Sequence, residues 1–327
     1  EEIARIHGYE HVPAQPPRSS VPMLRLQEGT RDRFDLRHML VDLGYQEVVN
    51  YSFVAEDLER DFAGNTNPVR LANPIASTMS VMRSSLLGGL VQTLRSNLNR
   101  GVDRVRVFEI GRCFEGSEAD VSVQPERVAG LAFGSRWPQQ WGQKEARVDF
   151  FDAKGDLQAL SGGRRLDYAA ASHPACHPGR CAAVSHAGKA IGIVGELHPR
   201  LQQQYELPSA PVLFEVLTEP LLDGDFPRFQ GLSRMPAVRR DISFWVAQET
   251  PVGVMLEAVR GRVPAIVREV EVFDQYPGKE AEVGKKSLAL RIVMQDTDRT
   301  LTDSEVEGVV ASIREQLIQQ FQAKPRT

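Results

Sequence analysis

The chain has 327 residues, of which 42% are hydrophobic and 25% charged, with a formal net charge of −4. This is the composition of an ordinary globular protein of about two domains, long enough to bury its cores without metals or disulfides. The charge balance excludes a general attraction to nucleic acid, so any such site must be a local patch. No apolar run is long enough to span a bilayer, and there is no signal peptide. Cys113, Cys176 and Cys181 make no disulfide framework and suit a reducing, cytoplasmic compartment. The sequence opens on Glu1-Glu2 without Met, and Ile3, Ala4 and Ile6 read as the end of a helix, as expected of a piece of a longer protein.

Residues 12–22, with Pro13, Pro16, Pro17 and Pro22, form an extended linker. Leu36, Met39, Leu40 and Leu43 have helical spacing in a helix from about residue 27 to 43, which Gly44 stops. Val48 to Val54 then read as a strand, and Ser84 to about Asn99 as a second helix. Arg104 to Phe114 and Arg127 to Phe133 are strands; Val148 to Phe151 lead into another, with a helix after Gly155. Cys181 to Val184 and Ala190 to Val194 make a hairpin turned at His186-Ala187-Gly188-Lys189, and Val212 to Val216 is one more strand. Hairpin connections predict an antiparallel sheet with helices packed on it.

A boundary falls near Asp223-Gly224-Asp225-Phe226-Pro227. Beyond it the pattern is strand 241–247, helix 251–262 with Thr250 as cap, strands 266–273 and 286–294, helix 303–321, and a short tail. Val306, Val309, Val310, Ile313, Leu317, Ile318 and Phe321 form one apolar stripe, opened by a Thr302/Glu305 capping box. This βαββα order, closed by a last short strand, is the ferredoxin-like split βαβ arrangement, an α+β fold. Both helices lie on one face and leave the other sheet face open for binding.

Several clusters invite a chemical reading. His173, Cys176, His177 and Cys181 crowd together, but their spacing is not that of a zinc finger or ribbon, and Pro174, Pro178 and Gly179 suggest a plain surface loop. Gly192-Ile193-Val194-Gly195-Glu196 lacks the phosphate-loop lysine and reads as a tight turn. Glu109, in mid-strand, reads as a buried carboxylate with a structural partner. The strongest candidate is basic: Ser233, Arg234, Arg239 and Arg240 before the alternating run Ile242, Phe244, Val246, joined by Lys285, Lys286 and Arg291 on a later strand. Residues 228–327 hold 15 Lys and Arg against 14 Asp and Glu, so charge alone leaves a solvated face as an open alternative. Trp245 points away from Phe244 and is the stacking candidate; Asp241 can pair with a neighbouring Arg.

Taken in order, certain strings resemble the β subunit of bacterial phenylalanyl-tRNA synthetase over essentially the whole chain. They are Glu1 to Tyr9, Asn73-Pro74-Ile75, Met82-Arg83-Ser84-Ser85-Leu86-Leu87 and Phe108-Glu109-Ile110-Gly111. His177-Pro178-Gly179-Arg180, Gly192 to Pro199, Pro236 to Asp241 and Arg299-Thr300-Leu301-Thr302 complete the set.

The resemblance implies three parts: residues 1–18, the tail of a preceding helical domain plus linker; 19–222, a class II synthetase-like antiparallel core; and 227–327, a ferredoxin-fold anticodon-binding domain. It implies a non-catalytic role in ATP-dependent charging of tRNA(Phe) with phenylalanine. Implied partners are an α subunit that carries the active site, a second β subunit (α2β2) and the anticodon stem-loop of tRNA(Phe). Gly44-Tyr45-x-Glu47-Val48 resembles the first class II motif, used at subunit interfaces, with Tyr51 where that motif has Pro. The strand ending Gly111-Arg112-Cys113-Phe114-Glu115 lacks the Arg-x-acid pair of the second motif, and no alternating-Gly string ending in Arg matches the third. Without those cations the core should not adenylate an amino acid. Glu1 and Glu2 match two acidic positions of a family magnesium site whose other two carboxylates lie outside this chain. Magnesium and ATP are thus expected of the whole enzyme, with neither held by this chain alone. The rivals are a self-sufficient class II ligase and a generic RNA-binding adaptor.

Overall fold

The structure is a computed structural model that describes residues 1–15, 31–116, 123–222, 229, 231–276 and 284–326. The expected helix start near residue 27, most of the 12–22 linker and the 223–227 boundary lie outside these residues. Helix α1 (Glu2–His7) buries no side chain. Helix α2 (Arg33–Asp42) starts at a capping box between Asp32 and Asp35 and buries Leu36 and Leu40. Gly44, at φ 85°, supplies the left-handed residue that turns the chain into β1 (Gln46–Glu47).

The single strand expected over 48–54 does not form. β1 ends at Glu47, and β2 (Phe53–Val54) leaves to pair with β3 (Val81–Met82). Between them Asn50 turns inward to donate to Glu109 at 2.7 Å, and that diverts the backbone. Helix α3 (Glu56–Phe62) was not expected, although Glu56, Asp57 and Glu59 in its first turn suit the positive end of the helix dipole. Helix α4 (Leu87–Leu98) buries Leu87, Leu90, Val91 and Leu94. Strands β4 (Val105–Arg112) and β5 (Glu126–Phe133) follow. The strand expected at 148–151 is instead the start of helix α5 (Phe150–Leu160), with Gly155 inside it. Asp149 caps this helix by accepting from the backbone of Phe151 and Asp152, a stronger local preference than the apolar run.

The core continues through β6 (Asp167–Ala170), β7 (Cys176–His186), β8 (Lys189–Leu197), α6 (Pro199–Gln204), β9 (Val212–Leu217) and α7 (Glu219–Leu222). Its seven-stranded sheet has the order β1-β4-β5-β9-β8-β7-β6, antiparallel except for the β1–β4 edge pair. Helices α2 and α5 cover one face over Phe108, Val128 and Phe214. Helices α3 and α4 cover the other over Val107, Leu131 and Leu213. Two sequence expectations fail in this sheet. Residues 192–196 are not a turn but lie inside β8, and the turn sits at Ala187 and Gly188. A Cβ on Gly192 would lie 2.0 Å from the Glu215 carbonyl oxygen, so close strand approach accounts for that glycine. The supposed surface loop around Cys176 is likewise strand, with Cys176 and Cys181 buried in the core.

Three buried carboxylates hold residues 83–86, the segment that opens α4. Glu109 takes the Arg83 guanidinium at 2.6 Å and Glu59 accepts the Ser84 N–H at 2.9 Å. Glu215 accepts the Leu86 N–H at 2.6 Å and the Ser85 hydroxyl at 3.2 Å, with Arg127 3.0 Å away. Burial pushes the Glu59 and Glu215 carboxyls above their ordinary range despite these donors. The mid-strand Glu109 thus has the structural partner its position implied.

The C-terminal unit runs β10 (Val238–Ala247), α8 (Val252–Arg260), β11 (Val267–Tyr276), β12 (Lys285–Met294), α9 (Asp303–Phe321) and β13 (Lys324–Pro325). Its sheet order, β11-β12-β10-β13, is the split βαβ arrangement. Ile242, Phe244, Val246, Leu288, Leu290, Ile292 and Met294 face the two helices and build the core with Val306, Val310, Ile313 and Leu317. Thr302 caps α9 as its sequence indicated. At α8 the cap is Pro251 rather than Thr250, whose carbonyl oxygen is taken up elsewhere.

Candidate nucleic-acid interface

Because side chains alternate along a strand, the five singled-out residues that lie on strands of the C-terminal unit divide between two faces, while Ser233 and Arg234 precede β10. Arg239 and Arg291 lie on the open face with Asp241, Ser243 and Trp245. Arg291 forks onto Asp241, its register partner, at 3.0 and 2.9 Å, and its guanidinium lies 4.4 Å from the Phe273 ring centroid. That bond holds the Asp241 carboxyl below its ordinary range. Arg239 and Arg234 are exposed and make no ion pair among the described residues. Lys285 shares the parity of Arg291 and stands opposite Ala247.

Arg240 and Lys286 do not join them. Arg240 has the parity of Ile242 and reaches Glu307 on α9 at 3.2 Å. Lys286 has the parity of Leu288, is only 8% exposed, and donates from Nζ to the Thr250 carbonyl at 2.7 Å. Desolvation lowers its pKa. Lys286 belongs to the packing between sheet and helices, and Arg240 makes a solvent-exposed pair on the helix side. Ser233 is also engaged internally: its hydroxyl donates to the Asp296 carbonyl at 2.7 Å and accepts from the Met235 N–H at 3.0 Å.

The face holds three residues that sequence reasoning missed. β13 pairs with β10 at Phe244 and Trp245, and so carries Arg326 onto the open side. The Arg326 guanidinium sits 5.3 Å from the ring centroids of both Trp245 and Tyr276. Its backbone N–H donates to the Ser243 carbonyl at 2.8 Å. Tyr276 and Phe273 line the same depression, a cavity of about 290 Å³ that also meets Asp241, Ser287 and Ala289. The signal was present in the order of elements: a closing strand in a split βαβ sheet lands beside the first strand, so the basic tail Lys324-Pro325-Arg326 had to end there.

Two other clusters were weighed. Glu1 precedes and Glu2 opens the exposed helix α1, and Glu2 is 2.7 Å from Arg5. Around Cys176, the His173 and His177 rings accept the N–H groups of Ala175 and Gly179 at 3.3 and 3.0 Å, which ties each to its own turn. A larger cavity of about 790 Å³ opens at the surface beside the exposed Trp137 and Lys144. Its Arg104 is committed to the Ser135 and Arg136 carbonyls.

The C-terminal unit therefore falls in the class of helix-backed, split βαβ domains with one open sheet face bearing arginines and aromatic rings. In RNA-recognition modules, a four-stranded sheet bearing aromatic rings stacks unpaired bases. The family model described as the phenylalanyl tRNA synthetase beta chain CLM domain matches residues 12–217, and the ferredoxin-fold anticodon binding domain matches 233–326. The chain belongs to the phenylalanyl-tRNA synthetase β chain family. It is 49% identical over 317 residues to the phenylalanine–tRNA ligase beta subunit of Aromatoleum aromaticum, covering 96% of this chain and 40% of that one. The same-named protein of Chromobacterium violaceum gives 49% with the same coverage. That of Dechloromonas aromatica gives 44% over 100% of this chain and 42% of its own length. The chain thus spans about two fifths of the length of these curated relatives. Among solved structures, a pyrrolysyl tRNA synthetase of Desulfitobacterium hafniense covers 58% of this chain and 65% of its own, at 16% identity and a TM-score of 0.42.

Proposed function

We propose that this chain is the C-terminal part of a phenylalanine–tRNA ligase β subunit, where it binds the anticodon stem-loop of tRNA(Phe) and serves as a non-catalytic scaffold. The open face carries this reading: Arg239 and Arg291 supply charge for phosphates, and Trp245, Tyr276 and Phe273 supply rings for unpaired bases. Arg326 lies between two of those rings and can bear charge or serve as a stacking plane. Residues 227–327 would form the anticodon-binding domain, 19–222 the degenerate synthetase core, and 1–18 the tail of a preceding helical domain with its linker. The partners are the α subunit, a second β subunit in an α2β2 assembly, and tRNA(Phe). The setting is cytoplasmic, and magnesium and ATP serve the complete enzyme.

Exposed apolar side chains support the scaffold role. Phe34 and Val41 on α2, with Val49 and Tyr51 just after β1, are 64%, 54%, 90% and 70% exposed. They fall in the stretch that resembles the first class II motif, and an apolar group of this kind marks a protein contact.

The test is fluorescence anisotropy of a labelled tRNA(Phe) anticodon stem-loop titrated with the chain over a range of salt. Affinity should fall linearly in log–log form as salt rises, and a stem-loop with an exchanged anticodon should bind more weakly. Equal affinity for both stem-loops would overturn the anticodon assignment. Absence of binding would overturn the RNA reading altogether.

A further inference from the structure

The three cysteines play no part in the proposed RNA site, and two of them form an arrangement of their own. Cys176 and Cys181 lie on one strand, β7, with His177-Pro178-Gly179-Arg180 between them. Along β8 they pair with Leu197 and Gly195, two positions apart, so the four intervening residues are accommodated as an irregularity in the ladder. That irregularity sets the two thiols side by side on the same face of the sheet, 1% and 7% exposed. Gly195 leaves the space they occupy: a Cβ there would lie 3.0 Å from Cys176 Sγ.

We infer that Cys176 and Cys181 are an oxidative modification site, a dithiol that a peroxide converts into an intrachain disulfide across the 177–180 bulge. Closing the bond brings the sulfurs to roughly 2 Å. The bulge provides the slack for that movement, which an unbroken strand would not.

Exposure assigns the order of events. The neighbouring Cys181 thiol and burial push the Cys176 thiol up, while the neighbouring Cys176 draws that of Cys181 down. Cys181, also the more exposed of the two, is the nucleophile. Its thiolate sulfur attacks one oxygen of hydrogen peroxide, the O–O bond breaks, and the departing hydroxide takes a proton to leave as water. Cys181 is then a sulfenic acid. The Cys176 sulfur attacks the Cys181 sulfur, the S–O bond breaks, and a second water leaves carrying the Cys176 proton. Two thiols lose two electrons, and the peroxide is reduced to two waters. Cys113 is wholly buried in the same core, has no sulfur partner among the described residues, and serves as the internal control.

The test uses the intact chain, dilute hydrogen peroxide under native conditions, alkylation in denaturant, and tryptic mass spectrometry without reduction. Trypsin cuts after Arg180, between the two cysteines, so the disulfide must appear as peptide 166–180 joined to peptide 181–189. The expected result is that linked pair, separated by reductant, with Cys113 still alkylated. Recovery of both peptides singly alkylated after peroxide would overturn the inference, as would a link through Cys113. The order is tested separately. Cys176→Ala should leave a sulfenic acid at Cys181 that dimedone captures, and Cys181→Ala should leave Cys176 unreactive. Peroxide labelling of Cys176 in the second variant would overturn the assignment of the nucleophile. The wild-type peptide pair decides the main inference even if either variant misfolds.

Discussion

Asp241 on β10 and Arg291 on β12 stand opposite each other in register, joined by two hydrogen bonds of 3.0 and 2.9 Å on the open face of the C-terminal sheet. A carboxylate at the centre of a surface proposed to meet phosphates opposes that role. It also holds the Arg291 guanidinium over the Phe273 ring, 4.4 Å from its centroid. Asp241→Asn should therefore raise affinity for the anticodon stem-loop and steepen its salt dependence, because only Glu271, 4.0 Å away, then balances Arg291. Arg291→Ala should lower affinity and reduce the salt slope by about one unit. Anisotropy titrations over a salt series check both.

The adjacent arginines separate the two faces. Arg239→Ala should weaken stem-loop binding and lower the salt slope by about one unit. Arg240→Ala should leave both unchanged, because its guanidinium is turned to Glu307 on the helix side. That pair is solvent-exposed, so its loss should cost about 1 kcal/mol or less in urea unfolding. Equal binding losses at the two positions would contradict the strand parity.

Arg326 and Trp245 should act as a unit. Removing either ring or guanidinium alone, in Trp245→Ala or Arg326→Ala, should weaken stem-loop binding. The double variant should lose less than the sum of the two, because the residues lie 5.3 Å apart and share a platform. A double-mutant cycle on binding free energy measures the coupling, and strict additivity would refute a shared platform.

At the start of α9, Arg299 and the Thr302 cap hold the Glu305 carboxyl down to about 2. A carboxyl depressed in the fold stabilises above its unfolded value of 4.5 and loses that contribution as pH falls toward 2. The melting-temperature difference between wild type and Glu305→Gln should thus be full at neutral pH and shrink from about pH 4.5 toward pH 2. Thr302→Ala should cost about 1 kcal/mol through the lost cap.

In the core, Arg83→Met should be far more damaging than any surface change. It leaves Glu109 buried without its cation, a loss of about 3–5 kcal/mol. Arg83→Met combined with Glu109→Gln should recover part of that loss in urea unfolding, since no uncompensated charge then remains.

The sequence by itself determined the features that depend on short-range periodicity and local hydrogen bonds. The α9 stripe and its capping box, the alternation of β12 and the strand–helix order of the C-terminal unit were all legible, because the groups involved lie within a few residues of each other. The ordered strings that identify the family were legible for the same reason. Tertiary structure decided which basic residues share a surface. Arg239 and Arg240 are neighbours in sequence, yet one strand step sends them to opposite faces, and Lys286 became a packing residue on the same parity. Arg326 entered the site only through the pairing of β13 with β10. In the core, Ser85 meets Glu215 across 130 positions. Such contacts carry no local signature, because they depend on which strands become neighbours, and burial of apolar faces sets that over the whole sheet.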